Sequence, residues 1–285
     1  MSEMVHEGPW RRPRNTSAHQ KGGIHDDETA QNLGFSGGTV AGSIHMEQFP
    51  PFVIEHLGEQ WLQSGTLSLY FRSATTDGVP VKCVGAKPLA YAGGMRMQLG
   101  MFDEADNLVM DGTASTGADA QSALRQKLAE VRPAKDIRVL EDVKVGQWCE
   151  PFLVQIPSSG IERQLQVITE PMAMFGESGQ TAGRVPPITT LVHTMREVET
   201  FIALTRGDFV GLFGAIEIAY HQGQPLADTD YLVKGRALAV GESPKTEIFW
   251  MESVLMEPNT QTPVATMIKM DRVMKASSPL WTDET

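Results

Sequence analysis

The sequence predicts an α+β fold assembled twice, each unit an antiparallel sheet wrapped around one central helix. Three observations carry this. Each half reads as a helical stretch, a Gly-punctuated break and several strands with period-2 alternation. Each helical stretch is crowded with apolar residues and therefore needs cover on several sides. Equivalent landmarks also recur at a nearly fixed distance: Gly65 and Gly214 precede the first strand of each half, and Val109 and Val264 lie in the last hairpin strands, about 150 residues apart in both cases.

In the first half the helical stretch runs from Gly42 to Gln63, interrupted by Pro50-Pro51, with Phe52, Ile54, His56, Leu57 and Trp61 around it. Strands follow. Leu67, Leu69 and Phe71 alternate with Ser68, Tyr70 and Arg72, and Met95, Met97, Leu99 and Met101 with Arg96, Gln98 and Gly100. A turn at 103–107 leads into a strand at 108–114. Next, 118–131 is rich in Ala, Gln, Leu and Lys and predicts a surface helix that Pro133 stops. The domain cut falls there, giving units 1–132 and 133–285. In the second unit Val143 to Gly146 predicts a strand entering a turn. Pro186-Pro187 opens a helix carrying Leu191, Met195, Val198 and Ile202 at helical spacing. Strands are expected at 215–220, 231–240, 246–255 and 264–275. Two such sheets joined edge to edge hide an exposed strand edge; this is the hotdog arrangement, doubled in one chain.

Composition bounds the partners. The 285 residues are 41% hydrophobic and 21% charged, which excludes wholesale disorder, and no apolar run reaches the roughly 18 residues of a membrane span. Acidic residues outnumber basic ones 35 to 24, for a formal charge of −11. A nucleic-acid surface needs a basic excess, and only Arg11-Arg12-Pro13-Arg14 offers a short one, read as a solvated arm. The two cysteines, Cys83 and Cys149, lack CxxC spacing or a histidine cluster, so no metal, no cofactor and a reduced cytoplasmic setting are expected. The start carries no basic segment followed by an apolar run.

Chemistry points to residues 24–42. A polar loop, Ile24-His25-Asp26-Asp27-Glu28, leads through Gly34-Phe35 and Gly37-Gly38-Thr39-Val40-Ala41-Gly42 into the first helix. Free backbone N–H groups at a helix start favour developing negative charge, and a histidine beside them can move the proton of water. These residues resemble the MaoC-like, R-specific enoyl-CoA hydratase family, whose pattern is close to Asp-x-Asn-Pro-x-His-x-Asp-Pro-x-x-Ala-x-x-x-Gly-Phe, followed by a His-Gly that begins the hotdog helix. His25, Asp27, Ala30 and Gly34-Phe35 match, and Gly42 looks like the glycine whose N–H helps bind a thioester oxygen. The second half resembles a domain of the same type without the His-x-Asp pair. One departure stands out: where the family has an aspartate five residues before the histidine, this chain has Gln20, which can orient water but cannot take its proton. Asn15 has the same limit.

The resemblance implies a hydratase or dehydratase acting on a 2-enoyl or 3-hydroxyacyl thioester, CoA or carrier bound. His25 would be the proton-moving group, with Asp26 or Asp27 assisting and Gln20 and Asn15 orienting water. Gly42 would bind the carbonyl, and Arg72, Lys82 and Arg96 the pantetheine end. Asp26, Asp27 and Glu28 also read as helix-start residues, and His19, His45 and His193 as polar, core or interface positions. Two alternatives remain: a hotdog thioesterase using Glu47, Glu55 or Glu197, and a non-catalytic acyl-thioester binding protein. The 15 methionines read as core filler that also suits an acyl pocket. Exposed sheet edges leave a homo-oligomer open.

Overall fold

The computed structural model describes residues 3–176 and 183–282. Both halves feed a single antiparallel sheet. Its strands are β1 (Met4–Glu7), β2 (Thr66–Phe71), β3 (Val81–Ala86), β4 (Leu89–Tyr91), β5 (Gly94–Asp103), β6 (Leu108–Ser115), β7 (Phe152–Gln155), β8 (Gly211–Tyr220), β9 (Asp230–Glu242), β10 (Thr246–Met256) and β11 (Pro263–Met274). The helices are α1 (Asp27–Asn32), α2 (Gly42–Met46), α3 (Phe49–Leu57), α4 (Trp61–Ser64), α5 (Ala123–Ala129), α6 (Ser158–Leu165), α7 (Ile188–Met195) and α8 (Glu199–Ile202). Across the sheet the order is β1-β3-β5-β6-β2-β8-β11-β10-β9-β7, with β4 also pairing β5.

The seam between the halves is β2 against β8, in register from Thr66 opposite Ala219 to Tyr70 opposite Ala215. Alternation decides the two faces. Leu67, Leu69, Ile216 and Ile218 point to one side and are fully buried in the main core. That core also takes Phe49, Phe52, Val53 and Trp61 of the first half and Leu191, Val192 and Met195 of α7. Burying each such side chain contributes on the order of 2 kcal/mol. Ser68 and Glu217 face the other side, where α5 covers the seam: Leu124 is buried, Ser122 Oγ donates to Glu217, and Arg125 Nε donates to Glu217 Oε1 at 3.0 Å. The expected surface helix is thus a shorter one that seals the sheet's second face.

Other expectations change in detail. The first central helix is split into α2, α3 and α4, because Pro50 and Pro51 suit only the first turn of α3 and Gly58, at φ 83°, ends it. The second runs as α7, a 3₁₀ turn at Arg196–Val198 and then α8. Val143 to Gly146 is no strand: Val145 makes a single parallel bridge to Ala237, and Gly146, at φ 85°, turns the chain away. The end strands β1 and β7, β3 between β1 and β5, and β4 beside β5 have no counterpart in the sequence reading. Cys83 is buried and Cys149 half-buried, both as free thiols. Among the described residues no helix is long and apolar enough to cross a membrane.

Candidate active site

A cavity of about 1110 Å³ opens where the two halves meet. The first half contributes the loop bearing His25, the Gly-rich approach to α2 and the end of β2. The second contributes α7, α8, the start of β8 and the end of β11.

His25 is half-buried on the cavity wall, and its backbone is pinned on both sides. Asn15 Nδ2 donates to the His25 carbonyl at 2.8 Å, and Thr39 N donates to the Ile24 carbonyl at 2.8 Å. His25 Nδ1 lies 2.7 Å from the Thr39 carbonyl oxygen. A carbonyl only accepts, so Nδ1 carries the hydrogen and Nε2 keeps its lone pair when the ring is neutral. Gly38 must be glycine here, since a Cβ would stand 2.4 Å from the His25 oxygen.

The predicted helpers of His25 are positioning groups. Asp26 caps α1 through its Oδ2, 2.9 Å from Thr29 Oγ1, while Lys21 Nζ donates to Oδ1 at 2.5 Å; Lys21 first and Thr29 next hold its pKa below the usual carboxylate range. Asp27 Oδ1 accepts the Gly38 N–H at 2.7 Å and so ties the Gly-rich loop to α1. Both carboxylates thus organise the loop that carries His25, and neither is among the residues lining the cavity. Asn15 likewise spends its amide on the loop. Gln20 is exposed at the cavity mouth, and no hydrogen bond joins it to the His25 ring among the described residues.

Gly42 begins α2 beneath Phe71, where an added Cβ would lie 2.1 Å from the ring. Among the described residues no acceptor meets the Gly42 or Ser43 N–H. One hydroxyl there, Ser43 Oγ at the start of α2, is buried, on the cavity lining and without a hydrogen-bond partner among the described residues, while Thr189 at the start of α7 also lines the cavity and lies against Glu47. An unpaired buried polar group costs about 1–3 kcal/mol, so the donors at the start of α2 are open to an oxygen-bearing ligand.

The cations are placed differently from expectation. Arg72 lines the cavity but is bidentate on Asp111, at 2.6 and 2.9 Å. Lys82 pairs with Glu7 at 2.6 Å on β3, and Arg96 pairs with Asp119 on β5; neither reaches the cavity, so their predicted binding role is corrected. Lys245 and Arg272 do line it. Neither has a carboxylate partner among the described residues, Arg272 donating instead to the Tyr70 hydroxyl. Glu47 is buried off the cavity, accepting from Thr189 N at 3.0 Å and Gln164 Nε2 at 2.7 Å, and Glu55 and Glu197 are exposed elsewhere. The three carboxylates named for a thioesterase, Glu47, Glu55 and Glu197, are therefore not among the residues lining the cavity.

Sequence reasoning set His193 aside as a core or interface residue, yet it opens onto the cavity. Counting along the helix gives the missed signal: His193, Arg196, Glu199 and Ala203 recur at spacings of three or four, forming a face distinct from that of Leu191, Met195, Val198 and Ile202, and all four line the cavity. His45 is buried, with Nε2 at 2.9 Å from Thr75 Oγ1, and burial pushes its pKa down to about 4.

No family model matches the chain, and no curated protein matches it in sequence. Solved structures do match in shape. One protein assigned as a MaoC domain dehydratase, from Chloroflexus aurantiacus J-10-fl, superposes with a TM-score of 0.60 at 10% identity over 96% of this chain and 95% of its own. A conserved Mycobacterium tuberculosis protein with a double hotdog fold gives 0.62 at 10% identity over 95% and 97%. A MaoC-like dehydratase gives 0.53 at 12% identity over 93% and 98%. The cavity between the joined sheets is thus carried by a double hotdog, the fold of the MaoC-like dehydratases.

Proposed function

We propose that this protein is a hydratase/dehydratase that adds water to a 2-enoyl thioester or removes it from the 3-hydroxyacyl thioester. One observation carries the reading: His25, its Nδ1 fixed by the Thr39 carbonyl and its Nε2 without a hydrogen-bond partner among the described residues, lines a cavity shared with unpaired donors at the start of α2. The thioester carbonyl sits against the Gly42 and Ser43 N–H groups and the Ser43 hydroxyl, which stabilise the enolate-like charge that develops on its oxygen. His25 Nε2 handles the proton on oxygen, taking it from attacking water or giving it to the leaving hydroxyl. At about 1110 Å³ the cavity exceeds the usual size of a small-ligand site and accommodates a pantetheine arm with an acyl chain. Phe71, Val109, Phe209, Phe213 and Phe249 supply the apolar wall for the acyl tail. Lys245 and Arg272 suit the phosphates of CoA or of a carrier's prosthetic arm. In this reading the halves are units 1–132 and 133–285, acting on acyl metabolites in the cytoplasm.

The test is the enoyl absorbance of crotonyl-CoA with purified full-length protein. The wild type should consume it and His25→Ala should lose at least about 100-fold in rate, the usual weight of general acid–base catalysis. Thiol release in place of enoyl loss would select the thioesterase. An exposed Gln20 where the family has an acid favours one second reading, a binding protein, which would show CoA-ester affinity and no turnover of either kind.

A further inference from the structure

We infer that His193 is the second proton-transfer residue of this site, serving the substrate's α-carbon while His25 serves its oxygen. This rests on the hydratase/dehydratase reading and completes it. That reaction moves two protons, one on oxygen and one on Cα, and among the described residues no carboxylate is hydrogen-bonded to the His25 ring to share them. His193 comes from the other half of the molecule, off α7, and lines the same cavity. Among the described residues its ring has no hydrogen-bond partner, unlike His45 on Thr75 or His221 on Thr266. An imidazole left without a partner on the wall of a reactive cavity is available to a ligand.

The surrounding charges suit the role. Arg196 follows His193 on the same helical face, Glu199 lies on α8, and Lys269 and Asp271 approach from β11. Lys269 is fully buried, bridging Glu199 at 2.5 Å and Asp271 at 2.6 Å, while Arg196 pairs with Glu199 at 2.8 Å. His193 is exposed on its helix, yet desolvation by the surrounding wall first, then Arg196 and Lys269, lower its pKa; Glu199 opposes them, and His25 is close enough to add to the lowering. The shift favours the neutral ring, the form that a base toward carbon requires.

In the dehydrating direction His193 takes the Cα proton and that C–H electron pair forms the Cα=Cβ bond. The Cβ–O bond breaks, and the departing hydroxyl takes the Nε2 proton of a His25 that enters this step as imidazolium, so that it leaves as water and His25 remains as the neutral Nδ1–H ring. His193 ends with one proton more and His25 with one fewer, and water at the cavity mouth restores both. Hydration is the reverse, with His193 delivering the proton to Cα.

Dehydration of 3-hydroxybutyryl-CoA by the full-length protein, read by the rise of enoyl absorbance, tests this. His193→Asn should lower kcat by about 100-fold or more with KM changed less than about threefold, and imidazole in solution should restore turnover to His193→Gly. Arg196→Gln keeps the histidine but removes a cation facing it, so the acid limb of the kcat–pH profile should move to higher pH. Wild-type turnover in His193→Asn, or an acid limb unmoved in Arg196→Gln, would overturn the assignment; if His25→Ala is then inactive, the proposed function stands without it. A wild type inert toward both crotonyl-CoA and 3-hydroxybutyryl-CoA overturns both.

Discussion

Glu47 and His45 lie two residues apart, both buried, and are expected to oppose each other in the pH dependence of stability. Glu47 joins the halves by accepting the Thr189 N–H at the start of α7 and the Gln164 amide. Burial outweighs these hydrogen bonds and pushes its carboxyl from 4.5 up to about 7. The folded state thus holds this proton more tightly than the unfolded state, so its stabilisation is complete below pH 4.5 and is lost as pH rises toward 7. His45 runs the other way: with its pKa down from 6.5 to about 4, its share of stability is present above 6.5 and is lost as pH falls. At 1.36 kcal/mol per pKa unit, each amounts to about 2 kcal/mol between pH 5 and 6.5, with opposite sign. Glu47→Gln, nearly the same shape, removes one of them. Urea denaturation of wild type and variant at several pH values gives a difference curve in which other titrating groups cancel. The wild type should lose about 2 kcal/mol relative to Glu47→Gln from pH 5 to 6.5. Parallel curves over that interval would refute a protonated, buried Glu47.

Gly42→Ala sets a methyl against Phe71, whose ring has only the cavity to move into; a cost of about 1–3 kcal/mol in denaturation and a raised KM are expected, and an unchanged KM would show that Phe71 does not bound the acyl site. Asp26→Ala removes the cap of α1 and should cost about 1 kcal/mol while leaving kcat within a few-fold, because Asp26 does not act on substrate. Lys245→Ala should raise KM for crotonyl-CoA but not for a crotonyl thioester of unphosphorylated pantetheine; equal effects on both would place the CoA phosphates elsewhere.

Local pattern was enough to reveal much of the frame, because period-2 alternation sets the face of every long strand. It foresaw the core positions of Leu67 and Leu69 and the turn into β6. It failed where few residues carry an element, as in four-residue β1 and β7, and where one glycine overrides alternation, as Gly146 does after Val145. His25 and Gly42 were legible as positions on the cavity wall because each is set by its own loop. Lys82 and Arg96 misled because their partners, Glu7 and Asp119, are distant in sequence and already satisfy them. Asp26 and Asp27 illustrate a subtler limit: the motif finds the right loop, but a carboxylate bound by the backbone of that loop looks the same in sequence as one aimed at a substrate.

Joining the sheets at β2 and β8 does more than hide an edge. It sets α2 beside α7, so that Ser43 and Thr189, each near the start of its helix, open onto one cavity. Glu47 then reaches from the end of α2 to the Thr189 backbone, fixing the second helix against the first. A half lacking its own His-x-Asp segment is thus not idle: it supplies α7, the cation–carboxylate cluster around Lys269, and much of the apolar wall. Each half supplies a different part of the lining, so the cavity forms only where the two meet.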